Sequence, residues 1–353
     1  MEQLPTITIN GTIIAFEQGK TILEVCQAEN IPIPTLCHDS RLQPYGACRL
    51  CIVEISGVAR PLTSCTTPAE NGMEVTTESS RLYRLRKTII ELLLSNHPND
   101  CMCCEAAGNC DLQELSYRYS ADVNKFSGEK WDLPIRQDNP FISFDANKCI
   151  VCGRCTRICN ELVMAGTIEI TGRGFTTMPD TAFSHPRSLE NCEFCGQCVS
   201  TCPTGALTNT KMQGIGRSID IQQVRTTCSY CGTGCNFFLK VKDDRVIGVE
   251  SDFDAVVNKG NLCIKGRYGY DFIHHEERIT TPLIKEGDGF REASWDEALT
   301  LVAEKFNTLI ETYGAETVGG FSSSRCTNEE NYLMAKWVRT AVGSNNVDNC
   351  ARV

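Results

Sequence analysis

The sequence lacks a hydrophobic run long enough to cross a membrane. Its longest apolar stretch, Ile89-Ile90 and Leu92-Leu93-Leu94, is broken by Glu91, whereas a spanning helix needs about 20 apolar residues. It also lacks a run of Lys and Arg. The formal charge is −10, so no phosphate-binding face is offered and a nucleic-acid partner is not expected. The N-terminus, MEQLPTITIN, has no basic start followed by an apolar core, which argues against a signal peptide. These absences point to a cytoplasmic protein. What is abundant is cysteine: 23 residues in tight groups. In a reducing compartment disulfides account poorly for so many, and metal binding accounts for them better.

The 353 residues suggest two to four domains at about 100–200 residues each. Residues 6–9 and 12–16 alternate around Asn10-Gly11, a hairpin signal. A helix over 21–30 and short strands at 51–55, 62–65 and 73–77 complete a small β-rich module. Ser79 or Ser80 caps a helix running to about Asn96, with Leu82, Leu85, Ile89, Leu92 and Leu93 as its apolar stripe. A Cys-rich loop leads to a short helix over 111–119. Residues 120–144 read as a polar linker. Residues 145–210 hold two similar Cys runs, an internal repeat. A hairpin is expected over 237–241 and 246–250. From Ser294 the pattern becomes helix, strand, helix. Ser294 and Glu297 predict a capping box, and Val302, Phe306, Leu309, Ile310 and Tyr313 one buried face. A strand over 317–321 and a helix capped by Asn328, ending near Gly343 with no strand after it, read as the start of an α/β domain.

The cysteines fall into ligand sets. Cys37, Cys48, Cys51 and Cys65, spaced x10, x2 and x13, suit a 2Fe–2S cluster on a loop whose backbone N–H groups turn toward sulfur. Four-thiolate zinc is the alternative, although such sites favour two CxxC pairs. His97, Cys101, Cys104 and Cys110 form a second set, with zinc again the alternative and Cys103 a rival to Cys104. Only Cys104 has the x2 spacing from Cys101. Cys149, Cys152, Cys155 and Cys159 form C-x2-C-x2-C-x3-C, and Cys192, Cys195, Cys198 and Cys202 repeat it. In such pairs the fourth Cys of each run ligates the other cluster. One 4Fe–4S set is therefore Cys149, Cys152, Cys155 and Cys202; the other is Cys192, Cys195, Cys198 and Cys159. Cys228, Cys231, Cys235 and Cys263 form the last set, with Gly232 and Gly234 freeing the backbone to wrap it. The total is one 2Fe–2S and four 4Fe–4S clusters. Cys26 reads as a core residue. Cys103, Cys326 and Cys350 have no assigned role, and His38, His185, His274 and His275 read as surface or locally hydrogen-bonded.

The order of these sets resembles the N-terminal electron-input segment shared by the large subunit of NADH–quinone oxidoreductase, iron-only hydrogenases and NAD-linked formate dehydrogenases. Residues 224–353 resemble the start of the molybdopterin oxidoreductases, formate dehydrogenase in particular, through CSYCGTGC (228–235), NKGNLCIKGRYGYDF (258–272), NEENYL (328–333) and NNVDNCARV (345–353). The resemblance implies an α+β multidomain chain. A β-grasp 2Fe–2S ferredoxin module spans 1–79 and a helical His/Cys cluster module 80–120. A two-cluster, bacterial-ferredoxin-like module spans 140–212. The molybdopterin oxidoreductase 4Fe–4S domain spans 221–280, and the beginning of an α/β molybdopterin-binding domain spans 281–353.

The resemblance further implies interconversion of formate and CO2 at molybdenum or tungsten held by two molybdopterin guanine dinucleotides. Lys265, two residues after the last cluster Cys, is then the bridge for electrons between cluster and pterin; a solvated side chain is the alternative. An NAD(P)-linked flavoprotein or diaphorase, a ferredoxin or a hydrogenase subunit takes the electrons. In the resembling enzymes a motif like CARV runs into the selenocysteine or cysteine that binds the metal. The sequence is therefore expected to stop one residue short of that ligand, and a deliberate or genuine truncation is the alternative. The competing readings are the large subunit of an NADH dehydrogenase, an iron-only hydrogenase and a standalone multi-cluster electron carrier.

Overall fold

The computed structural model describes residues 4–186 and 191–351. It divides into two compact units, Met1–Ile221 and Gln222–Val353.

The first unit opens with β1 (Thr6–Ile9) and β2 (Thr12–Ala15). Between them Asn10 and Gly11 both have positive φ, as a two-residue hairpin turn matching strand twist requires. Helix α1 (Ile22–Ala28) starts in a full capping box of Thr21 and Glu24. Strands β3 (Ile52–Ile55), β4 (Leu62–Thr63) and β5 (Glu74–Thr76) complete a five-stranded sheet of order β2-β1-β5-β3-β4, in which β1 and β5 are parallel. Ile7, Ile9, Ile22, Val25, Cys26, Val53 and Val75 form its core. Cys26 is a core residue, and burial pushes its thiol up to about 11.

Helix α2 (Ser80–Ser95) is capped by Ser79. Its expected apolar stripe holds in part: Leu82 is buried and Ile89 and Leu93 pack against the core, but Leu85 and Leu92 are exposed, and Arg86, Ile90, Glu91 and Leu94 also face inward. The cause is Arg86, whose guanidinium donates to the carbonyls of Leu50, Ile52 and Thr77. No aliphatic residue could satisfy those carbonyls, so a charged side chain sets the phase of the helix. Helix α3 (Asp111–Arg118) follows, with Cys110 at its N-cap. The expected linker is already ordered into pairing at its end, where Arg136 bridges Phe144 and β6 (Ile142–Phe144) begins.

The Cys repeat builds two short helices, α4 (Arg154–Arg157) and, after the hairpin β7 (Glu169–Thr171) and β8 (Met178–Asp180), α5 (Gln197–Thr201). Strand β9 (Leu207–Asn209) returns antiparallel to β6, so the first and last strands of the module close on each other.

The second unit begins with a three-stranded meander, β10 (Gln222–Thr227), β11 (Asn236–Lys242) and β12 (Arg245–Ser251). Helix α6 (Ile264–Tyr268) packs on it. A hairpin not expected from the sequence, β13 (Leu283–Glu286) and β14 (Gly289–Glu292), precedes α7 (Trp295–Tyr313). Ser294 accepts from the Glu297 N–H, but the Glu297 carboxylate pairs with Arg291, so the expected box is half-formed. The predicted buried face of α7 is corrected too: no α7 residue is buried, and Val302, Leu309 and Tyr313 are exposed. Phe306 alone makes an edge-on ring contact, with Trp337, because among the described residues too few elements lie over this helix to cover it. Strand β15 (Gly320–Ser322) leads to α8 (Asn328–Trp337). The N-cap of α8 is Thr327, boxed with Glu330, and Asn328 is its first residue. A strand does follow: β16 (Val347–Asn349) pairs parallel with β15, completing a β-α-β unit. Arg352 and Val353, the end of the NNVDNCARV segment, lie outside the described residues.

Candidate metal centres

No two of the 23 cysteines are joined in a disulfide. In the first set Cys37, Cys48, Cys51 and Cys65 are all buried. The Leu36 N–H points at Cys48 Sγ and the Cys48 N–H at Cys37 Sγ, each at 3.4 Å. Cys51 and Cys65 Sγ lie 3.2 Å apart. A hydrogen bond from Cys48 brings Cys37 down to about 6, and one from Cys65 brings Cys51 down to about 7; the partner thiols are pushed up by the same bonds. Ser64, fully buried beside them, turns its hydroxyl toward Cys51 and helps lower that thiol.

In the second set His97 is buried at the end of α2, and burial lowers its pKa, favouring the neutral ring that can donate a lone pair. Its Nδ1 lies 3.3 Å from the Asn99 N–H, and its Nε2 is buried with no partner. Nε2 binds metal only with the ring proton on Nδ1, so that Asn99 contact would have to open. Cys104 is half-buried against Gly205, while Cys103 is exposed and turned to the Asp100 carbonyl. Cys110 accepts from the Gln113 N–H at 3.5 Å, and burial pushes it up to about 11.

The repeat runs share one backbone. Val151 and Gly153 have φ of 51° and 70°, and Phe194 and Gly196 have 52° and 71°. Left-handed residues at matching places turn successive N–H groups toward one side, an anion-cradling arrangement. Cys202 lies near enough to act electrostatically on Cys149, Cys152 and Cys155, and Cys198 acts on Cys155 as well. Cys159 instead lines a small apolar cavity with Cys192, Cys195 and Cys198. Burial pushes Cys149 and Cys152 up to about 12 and Cys155 well above its ordinary value.

Three of these sets adjoin. Cys37, Cys48 and Cys152 belong to one apolar cluster, with Cys110 packed against it. Arg157 donates to the Cys37 and Gln43 carbonyls. Arg154 donates to Thr201, which donates in turn to Asp39 at 2.7 Å. The Asp111 N–H donates to Pro203 O at 3.0 Å.

In the second unit Cys228, Cys231, Cys235 and Cys263 act on one another electrostatically. Cys228 is buried and Cys263 exposed. Burial raises Cys228, whereas the Thr233 hydroxyl lowers Cys231, helped by Lys265 and Arg325. Lys265 is exposed on α6. Of the other histidines, His275 accepts locally from the Glu277 N–H, whereas His274 accepts from the Val246 N–H of β12, distant in sequence. His38 departs from the local reading, with its Nε2 buried and unpartnered.

Among the described residues no three His, Cys, Asp or Glu converge to hold a single metal ion. The donor sets fit clusters on other grounds: thiols gathered in fours or, with His97, in three, all buried only in the first set, and the unpartnered buried atoms His97 Nε2 and Thr167 Oγ1 beside two of the sets. Sequence reasoning missed Ser64, Thr167, Arg86 and Gly205, whose roles arise from tertiary approach. No helix among the described residues is long and apolar enough to cross a membrane.

Family models match along the chain: a 2Fe–2S iron–sulfur cluster binding domain at 3–80, the NADH–ubiquinone oxidoreductase-G iron–sulfur binding region at 86–124, and the ferredoxin-like domain of NADH–quinone oxidoreductase subunit 3 at 139–208. The molybdopterin oxidoreductase Fe4S4 domain matches 221–275 and the molybdopterin oxidoreductase model 278–353. The NADPH–Fe(3+) oxidoreductase subunit alpha of Geobacter sulfurreducens is 40% identical over 99% of this chain and 40% of its own length. A Staphylococcus aureus protein named "Putative formate dehydrogenase" is 29% identical over 100% of this chain and 39% of its own. The chain thus spans about 40% of the length of these curated relatives. A chain of the crystal structure of an NAD+-reducing NiFe hydrogenase superposes with a TM-score of 0.54 at 30% identity, covering 60% of this chain and 90% of that one.

Proposed function

From a chain that belongs to the molybdopterin oxidoreductase family and carries iron–sulfur domains of the NADH–quinone oxidoreductase kind, we propose the electron-relay part of a cytoplasmic formate dehydrogenase. Cys37, Cys48, Cys51 and Cys65 hold a 2Fe–2S cluster in this reading. The sets built on His97, Cys149, Cys192 and Cys228 hold four 4Fe–4S clusters. A molybdenum or tungsten ion on two pterin guanine dinucleotides supplies the two-electron exchange between formate and CO2. Lys265 places a positive charge near Cys231, and with cluster and pterin bound it would lower the repulsion that an arriving electron meets. Clusters held by these cysteines would supply one-electron transfer. The chain's own contribution is position, hydrogen bonding to sulfur and local dielectric. An NAD(P)-linked flavoprotein, a ferredoxin or a hydrogenase subunit is the exchange partner.

The observation that carries the relay is the shared apolar cluster of Cys37, Cys48 and Cys152 with Cys110 against it, since electron transfer needs adjacent centres. A second reading, an NADPH-linked oxidoreductase without formate chemistry, is favoured by the 40% identical Geobacter relative. The test mixes the whole native protein, oxidised and anaerobic, separately with formate and with NADPH plus its flavoprotein, and follows bleaching of the iron–sulfur absorbance. Bleaching by formate supports the first reading. Bleaching by NADPH alone replaces it with the second.

A further inference from the structure

The cavity bounded by Cys159, Cys192, Cys195 and Cys198 has a largely apolar wall, broken by Thr167, Glu193 and Gln197. Thr167 is buried, at 6% exposure, and its hydroxyl has no hydrogen-bond partner. An unpaired buried hydroxyl is costly, and valine would fill the same space without that cost. A threonine here makes sense where its partner is the group that fills the cavity.

Asn139 presents a second donor to the same set. Its oxygen accepts from the N–H groups of Phe141 at 2.9 Å and Ile142 at 3.0 Å. That fixes the amide's orientation and leaves Nδ2 3.9 Å from Cys192 Sγ. The contact at Cys202 of the sister set differs. Thr204 Oγ1 is 3.7 Å from that sulfur, but its one proton goes to the Lys148 carbonyl at 2.9 Å.

We propose that Thr167 is a potential-setting residue: its hydroxyl donates a hydrogen bond to sulfur of the 4Fe–4S cluster held by Cys159, Cys192, Cys195 and Cys198. Asn139 assists from the Cys192 side. This rests on the crossed ligand assignment above. Reduction adds one electron, received from a neighbouring centre, to a group already negative, and no proton moves. A donor stabilises the reduced form more than the oxidised form and raises the reduction potential. In a largely apolar wall the effect of one donor is enlarged.

The experiment is a redox titration of the anaerobically purified whole protein followed by EPR, comparing wild type with Thr167→Val and Thr167→Ser. Thr167→Val should lower the potential of one 4Fe–4S cluster. At fixed potential its reduced-to-oxidised ratio should fall roughly threefold to tenfold, the worth of one hydrogen bond; tenfold is about 59 mV for a one-electron couple. Thr167→Ser should restore the wild-type value, and the other clusters should not move. If the valine variant does not retain the cluster, Thr167→Ala against Thr167→Ser gives the same comparison, since those two differ only by the hydroxyl. Unchanged potentials in the variant without the hydroxyl, or equal shifts with and without it, would overturn the proposal. Wild-type protein lacking paired 4Fe–4S signals would instead overturn the ligand assignment on which it stands.

Discussion

Gly205 faces Cys104 so closely that a Cβ on the glycine would sit 2.6 Å from the cysteine sulfur. Gly205 belongs to the paired-cluster module and Cys104 to the His97 set, so the two modules meet at a point that admits no side chain. Gly205→Ala should therefore displace Cys104 and disturb one 4Fe–4S cluster, with about four irons fewer per chain, while the other sets stay filled. Wild-type iron content and EPR in that variant would show that the contact is dispensable.

Cys103 and Cys104 compete for one ligand position on sequence grounds, and their surroundings differ. Cys103 is exposed, while Cys104 is half-buried. Cys103→Ser should be silent in cluster content, and Cys104→Ser should lose or convert one cluster. The reverse result would reassign the ligand.

His97→Ala should perturb one cluster and leave the rest, because its Nε2 is buried with no other partner to satisfy it. His97→Cys should keep a cluster and lower its potential, since thiolate brings negative charge where imidazole was neutral. Unchanged reduced-state EPR in His97→Ala would remove His97 from the ligands.

Arg86→Met replaces a buried guanidinium by an apolar chain and leaves the carbonyls of Leu50, Ile52 and Thr77 without their donor. The expected loss is about 3–5 kcal/mol of stability, typical of breaking a buried charged hydrogen-bond network. Denaturant titration checks it, and a change within about 0.5 kcal/mol, the range of ordinary surface substitutions, would contradict the role assigned to Arg86.

The cysteine runs were legible because their short spacings are local, and the Cys149 and Cys192 runs repeat both spacing and left-handed backbone. Local signals such as Asn10-Gly11 and the Thr21–Glu24 box were legible for the same reason. Features set by distant neighbours were not. The inward turn of Arg86 on α2 depends on carbonyls of Leu50, Ile52 and Thr77, which lie outside the helix. Thr167 matters through a cavity assembled from both cysteine runs, and Gly205 through a residue about a hundred positions earlier. The hairpin of β13 and β14 does carry a local signal, Gly287 at φ 58° beside Asp288, but its short strands alternate too weakly to stand out.

The central claim is that the cysteine sets hold iron–sulfur clusters. The most direct measurement is iron, acid-labile sulfide and zinc per chain in anaerobically purified or reconstituted protein, with EPR of the reduced state. One 2Fe–2S and four 4Fe–4S clusters predict about 18 iron atoms, a matching amount of sulfide and little zinc. Stoichiometric zinc with little iron after anaerobic reconstitution would contradict the account.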